Sequence, residues 1–135
     1  IMMLNGALAG LVAITAEPLT PTPGLALVIG SMGALIMYFG TKMLESFGID
    51  DVVGAIPVHM FAGIFGTLVV PISNSDTSFG TQFVGTLSVC VFSFVFSYLV
   101  FLTLKGTVGL RISKAAEKLG TDKSEIGVSA YSIRD

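Results

Sequence analysis

Asp50-Asp51-Val52-Val53-Gly54-Ala55-Ile56-Pro57-Val58-His59-Met60-Phe61-Ala62-Gly63-Ile64-Phe65-Gly66-Thr67-Leu68-Val69-Val70 holds the chain's single histidine well inside an otherwise uncharged apolar run. From Val52 onward the run approaches the ~20 apolar residues that a bilayer-crossing helix needs. An ionisable ring at such a depth is costly, so His59 is a functional-site candidate that faces a bundle interior or a path for solute or protons. The carboxylates of Asp50 and Asp51 stand where they can cap the first N–H groups of the helix and complement its dipole. A cation site at a pore mouth is the other reading of that acidic pair.

On an ideal helix the residues sharing the face of His59 are Ala55, Ile56, Ala62 and Gly63, with Gly66 a turn further on. This mostly small strip points the ring toward a neighbouring helix or a narrow lumen rather than toward lipid. Pro57 removes a backbone donor and frees a carbonyl in the preceding turn, which predicts a local kink. A neutral imidazole there offers one donor and one acceptor to a polar solute. The competing reading is a histidine that hydrogen-bonds a neighbouring helix and only orders the packing.

Outward from this stretch the chain keeps the same character. Of its 135 residues, 53% are hydrophobic and 12% charged, and the mean hydropathy is +0.87; an ordinary soluble domain carries roughly 25% charged residues. The expected class is an all-α membrane protein lying in a lipid bilayer. Four apolar segments are visible, at about residues 1–16, 25–44, 52–72 and 82–104, followed by a polar tail over 105–135. Segments of this length satisfy their own backbone in lipid by forming helices. The first would span only about 24 Å as a helix, against a ~30 Å hydrocarbon core, so its beginning is expected upstream. Three prolines in Glu17-Pro18-Leu19-Thr20-Pro21-Thr22-Pro23 stop it.

Charge placement gives the orientation. The seven basic residues are Lys42, between the second and third segments, and Lys105, Arg111, Lys114, Lys118, Lys123 and Arg134 in the tail. The other two connections carry only Glu17 and Asp76. By the positive-inside rule the Lys42 connection and the C-terminus are cytoplasmic, an up-down topology in a plasma or inner membrane. A net charge of −2 without a basic, aromatic-rich patch gives no support to a nucleic-acid partner.

The remaining polar and small residues are weaker signals. Cys90, the lone cysteine, excludes an internal disulfide, leaves no metal-ligand spacing and reads as a buried small hydrophobe. Gly6-Ala-Leu-Ala-Gly10 is a GxxxG that allows close helix approach. Asn5 suits an interhelical hydrogen bond, and Phe92, Phe94, Phe96 and Phe101 read as lipid-facing bulk. In the tail, Ser113 is expected to cap a short helix ended by Gly120, with Gly127 breaking a following turn. Its charges at Glu117, Lys118, Asp122 and Lys123 are either a solvated surface or a docking segment for a cytoplasmic regulatory protein.

Leu4-Asn-Gly-Ala-Leu-Ala-Gly-Leu-Val-Ala-Ile-Thr-Ala16 and Ile49-Asp-Asp-Val-Val-Gly-Ala-Ile-Pro-Val-His-Met-Phe-Ala-Gly-Ile-Phe-Gly-Thr-Leu68 closely resemble two signature stretches of the ammonium transporter (Amt/MEP/Rh) family. The resemblance covers nearly the whole chain and its C-terminal order. It implies a transporter or channel rather than an enzyme, with no cofactor and no metal. It also implies an eleven-helix fold assembled as a homotrimer, with a histidine-lined hydrophobic pore for ammonium or ammonia in each subunit. The four segments would be the last four helices, and His59, supported by Ala55, Pro57 and Gly63, the second member of the paired pore histidines. The first member and the aromatic gate would lie upstream. Arg111, Glu117, Gly120, Asp122, Ser124, Glu125, Gly127, Ala130 and Tyr131 match the family's subunit-coupling tail. Thr121 and Ile126 depart from it, standing where Leu and His are usual. The alternative is a membrane structural or interaction module in which His59 only orders helix packing.

Overall fold

The computed structural model describes residues 1–130. Among these, every regular element is helical. The chain divides into two compact units, Ile1–Val91 and Phe92–Asp135. Tyr131, together with Arg134, lies outside the described residues.

In the first unit, α1 runs over Met2–Thr15 and α2 over Pro23–Ser46. The last proline of the connecting segment does not keep the chain out of helix. Pro23 is the first residue of α2, where its missing N–H would have had no partner, and Thr22 caps the turn by accepting from the Leu25 N–H at 3.3 Å. The far end of α2 closes on Gly48 at φ +69°, with the Ile49 N–H reaching the Leu44 carbonyl and the Gly48 N–H the Glu45 carbonyl. That is a Schellman ending, which a residue with a Cβ would strain.

The third apolar segment begins later than the hydropathy suggests. Val52 and Val53 belong to a turn, and the helix opens with a π-helical turn over Ile56–Phe61, followed by α3 over Ala62–Val69 and a tight 3-10 turn over Val70–Ile72. The wide turn falls at Pro57, which has no N–H to give to a regular ladder, and the Ala62 N–H reaches back to the Pro57 carbonyl. Next comes α4, over Phe79–Thr107, with Ser78 accepting from the Thr81 N–H at its start. Two helices, α2 and α4, are long and apolar enough to cross a membrane; α1 and the Ile56–Ile72 segment are shorter apolar helices.

Small residues set the packing of α1, α2 and α3. The buried side of α2 is Ile29, Gly33, Met37, Gly40 and Leu44, a stripe at helical spacing, and that of α1 is Ala9 and Ala13. A Cβ on Gly33 would stand 2.6 Å from the Cβ of Ala13 and 2.7 Å from the Ala9 carbonyl oxygen, and one on Gly66 would run into the Ala13 carbonyl. A Cβ on Gly10 would lie 3.0 Å from the Gly30 carbonyl oxygen, so the second glycine of the GxxxG marks a backbone crossing. Lipid supplies no hydrophobic drive for helix association, and close backbone approach with dispersion contact replaces it. Ala9, Met37, Val58 and Ala62 form the core, with Val12 packed against it.

Three side-chain hydrogen bonds tie the two ends of this unit. The Asn5 Nδ2 donates to the Val53 carbonyl at 2.8 Å. At the other end the Asn74 Nδ2 donates to Glu17 Oε2 at 2.8 Å, and the Thr20 hydroxyl to Ser73 Oγ at 3.2 Å.

The second unit takes in the rest of α4 and the described part of the tail. Its α4 face is exposed and aromatic, with Phe92 stacked on Phe96 and Phe94 on Tyr98 at ring-centroid distances of 5.9 and 6.1 Å. In the tail, α5 covers Lys114–Leu119, with Ser113 accepting from the Ala116 N–H, and a π-helical turn covers Asp122–Ile126. Gly120 at φ +95° and Gly127 at φ +76° end them.

Candidate pore site at His59

The segment bearing His59 is held at its entry by Asp51. One carboxylate oxygen accepts the Ala55 N–H at 2.9 Å and the other the Ile56 N–H at 2.7 Å, so a single side chain satisfies two first-turn donors. Asp50 is exposed and lines a cavity of about 230 Å³ with Thr41, Glu45 and Asp51. The turn before the helix is fixed by Gly54 at φ +73°, where a Cβ would also stand 2.5 Å from the Asn5 Nδ2.

The π-helical turn decides which side chains share a face. Pro57, Val58, Ala62 and Gly66 are buried in the packing with α1 and α2, whereas Ala55 and His59 are exposed and Gly63 is half-buried. His59, Met60, Gly63, Ile64 and Thr67 therefore form one open side, and Ala62 and Gly66, expected beside His59 on an ideal helix, belong to the packed side instead. Of the supporting residues, Gly63 lines the same cavity as His59, and Pro57 acts from behind, seated where Phe61 and Gly40 meet. Ala55 stays exposed at the start of the segment.

The cavity before His59 has a volume of about 290 Å³ and is lined on its other side by Gly85, Thr86, Val89 and Cys90 of α4. Within the first unit, no Cα of residues 79–91 comes within 8 Å of one in α1, α2 or α3. Cys90 is half-buried at that wall, more open than the buried position its composition suggests. Among the described residues, no three His, Cys, Asp or Glu side chains come together as a metal site. An open histidine with Gly63 beside it and a mostly apolar lining make a cavity large enough for a small polar solute.

The profile of the Ammonium Transporter Family matches residues 1–131. The chain belongs to the ammonium transporter family. It is 35% identical to an ammonium transporter of Archaeoglobus fulgidus, over 96% of this chain and 32% of that protein. A putative ammonium transporter of Synechocystis is 40% identical over 91% of this chain and 25% of its own length. One from Methanocaldococcus jannaschii is 32% identical, over 95% and 35%. The chain thus spans between a quarter and about a third of the length of these relatives. This family membership agrees with the reading of the two signature stretches.

In the tail, the Asp122 carboxylate accepts the Ala130 N–H at 2.8 Å, and this bond, with a further one from the Lys123 N–H, holds its carboxyl below the usual carboxylate range. Gly120, at φ +95°, leaves no room for a Cβ beside Asp122. Arg111 and Glu117 approach to 4.0 Å with both side chains largely exposed, a pair that contributes little to stability. Tyr131, the last of the tail residues singled out, is beyond the described residues. Thr86 also lines the cavity and carries no signal in the sequence. Nothing in its spacing separates it from the other hydroxyl residues of α4, and only the cavity wall gives it a place.

Proposed function

We propose that this chain is the pore-lining C-terminal portion of an ammonium transporter, crossing the membrane four times, with His59 facing the conduction path. The observation that carries the reading is that His59 and Gly63 line one cavity while the neighbouring Val58 and Ala62 form the packed core with α1 and α2. The ties at the two ends support the up-down course: the 17–20 and 73–74 connections meet at one end, and Asn5 and Val53 at the other. With Lys42 and the basic tail inside, the first of these ends is extracytoplasmic.

The chemistry fits the solute. Ammonium cannot take its charge into an apolar lumen without partners, because stripping its water is too costly. An imidazole that is neutral accepts from ammonia at one nitrogen and donates at the other, and a second histidine, which the family resemblance places upstream, would complete the path for the solute and a separately relayed proton. Assembly as a homotrimer in a plasma or inner membrane, with a cytoplasmic tail that couples subunits and docks a regulatory protein, belongs to the same reading. No enzymatic step is involved.

The test is His59→Ala in the natural full-length gene product, with ammonium and methylammonium uptake measured per amount of protein in the membrane. The expected result is a loss of uptake of tenfold or more, or loss of selectivity against other monovalent cations. Unchanged uptake and selectivity would remove His59 from the pore.

A further inference from the structure

Gly63 and Gly66, one turn apart in α3, meet opposite surroundings. Gly66 has no room for a side chain, because a Cβ there would overlap the Ala13 backbone of α1. At Gly63 a Cβ would meet one neighbouring atom, Val12 Cγ1, at 3.6 Å, an ordinary van der Waals contact. Backbone conformation does not call for glycine at this position either. The glycines with positive φ are Gly48, Gly54, Gly109, Gly120 and Gly127, whereas Gly63 lies inside regular helix. Glycine is a poorer helix former than alanine. A helical position that tolerates a methyl in both packing and backbone is expected to carry one, unless the empty space has a use.

That space belongs to the cavity before His59. Gly63 is half-buried and lines the cavity together with His59 and Met60. Helical residues four apart stand about 5–6 Å from each other at their Cβ positions, so a methyl on residue 63 would stand beside the imidazole. The next polar group along the helix does not reach into the gap, since the Thr67 hydroxyl donates to the Gly63 carbonyl at 2.9 Å. A solute hydrogen-bonded to the ring through its nitrogen must place any carbon it carries next to that nitrogen. Ammonia has none to place, and methylamine has one.

We propose that Gly63 is the size-determining residue of the His59 site: its missing side chain leaves room beside the imidazole for the methyl group of a small primary amine, so that the pore admits methylamine as well as ammonia. An alanine at this position puts a methyl where the methyl of the solute has to pass. Ammonia keeps its hydrogen bond to the ring and loses little. The proposal rests on the pore reading of His59 and adds to it the residue that sets which solutes pass.

The experiment uses the natural full-length transporter with Gly63→Ala, and measures uptake of isotope-labelled ammonium and of labelled methylammonium per amount of protein in the membrane. One methyl group in a close-fitting apolar site discriminates by about tenfold or more. The ratio of methylammonium to ammonium uptake is therefore expected to fall about tenfold in Gly63→Ala. A second variant, Gly63→Ala combined with Val12→Ala, removes the one side chain that the new methyl would touch and leaves the methyl beside His59. The lowered ratio should persist in it. A parental ratio in Gly63→Ala, an equal fall of both uptakes, or a ratio restored by Val12→Ala overturns the proposal, the last two marking Gly63 as a packing residue. If Gly63→Ala alone does not reach the membrane, the double variant is read by its ratio, and absence of both from the membrane also assigns Gly63 to packing and overturns the proposal. His59→Ala run alongside separates the two readings: an inactive His59 variant with a parental ratio in Gly63→Ala sinks this proposal alone, whereas a fully active and selective His59 variant sinks the pore assignment with it.

Discussion

Asn5, near the start of α1, donates from its side-chain amide to the Val53 carbonyl at 2.8 Å, across 48 residues of chain. The bond fastens the turn that leads into the His59 helix, and Gly54 beside it has no side chain that would push the amide away. Asn5→Leu keeps the bulk of the side chain and loses the donor. It is expected to destabilise the folded protein by about 0.5–1.5 kcal/mol, the usual net worth of one such bond. Asn5→Gln should not restore it, since a longer arm must fit beside Gly54. Thermal unfolding in detergent measures both variants, and a Leu variant as stable as the parent would mean that the turn holds itself.

The crossing of α1 with α3 is closer than any side chain allows, because a Cβ on Gly66 would overlap the Ala13 carbonyl, a backbone group with no rotamer to move. Gly66→Ala should therefore force the helices apart and cost about 1–3 kcal/mol. Gly24→Ala, where nothing lies within 4 Å, is the matched control and should change stability by less than about 0.5 kcal/mol. Equal midpoints for the two variants in a thermal scan would show that the approach at Gly66 is not constrained.

Much of the fold was legible in the chain and some of the site was not, for physical reasons. The hydropathy of 25–44 and 82–104 and the cap at Ser113 survive as helices within a few residues of the expected bounds, because length and capping chemistry are local properties. Asp51 was legible as a cap for the same reason. The face of His59 was not. Reading it from an ideal period put Ala62 and Gly66 beside the ring, whereas the π-helical turn at Pro57 adds a residue to the winding and sends both to the packed side. A proline announces an irregularity without saying which way it is resolved.

Glu17 and Asn74 join the two connections at one end of the first unit, and the Asn74 amide, with the Leu19 N–H, holds the Glu17 carboxyl below its ordinary value of 4.5. A carboxyl depressed in the folded state binds fewer protons there than in the unfolded chain, so stability rises with pH across that interval. Its contribution is present above the ordinary value and is lost as pH falls through the depressed one. Glu17→Gln should lie below the parent in thermal midpoint near neutral pH and converge with it in acid. Asn74→Ala, which removes the leading cause, should move the Glu17 titration upward when followed by NMR. Parallel pH profiles for parent and Glu17→Gln would show that the bond gives no net stabilisation.

Pro57 links the irregular turn to the orientation of His59. It is fully buried, close to the space that a Cβ on Gly40 would need, and its carbonyl receives the Ala62 N–H across the widened turn. Pro57→Ala supplies the N–H that a regular helix requires and removes ring atoms from a packed position. If the segment then winds as an ordinary α-helix, the residues after it turn by about 100° for each residue drawn out of the wide turn. His59 and Gly63 would no longer face the cavity together. The variant is expected to remain helical by circular dichroism while its methylammonium uptake falls by several fold per amount of protein in the membrane. Helicity and uptake both at the parental level would mean that the π-helical turn persists without the proline and that the packing of Val58 and Ala62 against α1, and not the missing donor, sets the direction of the ring.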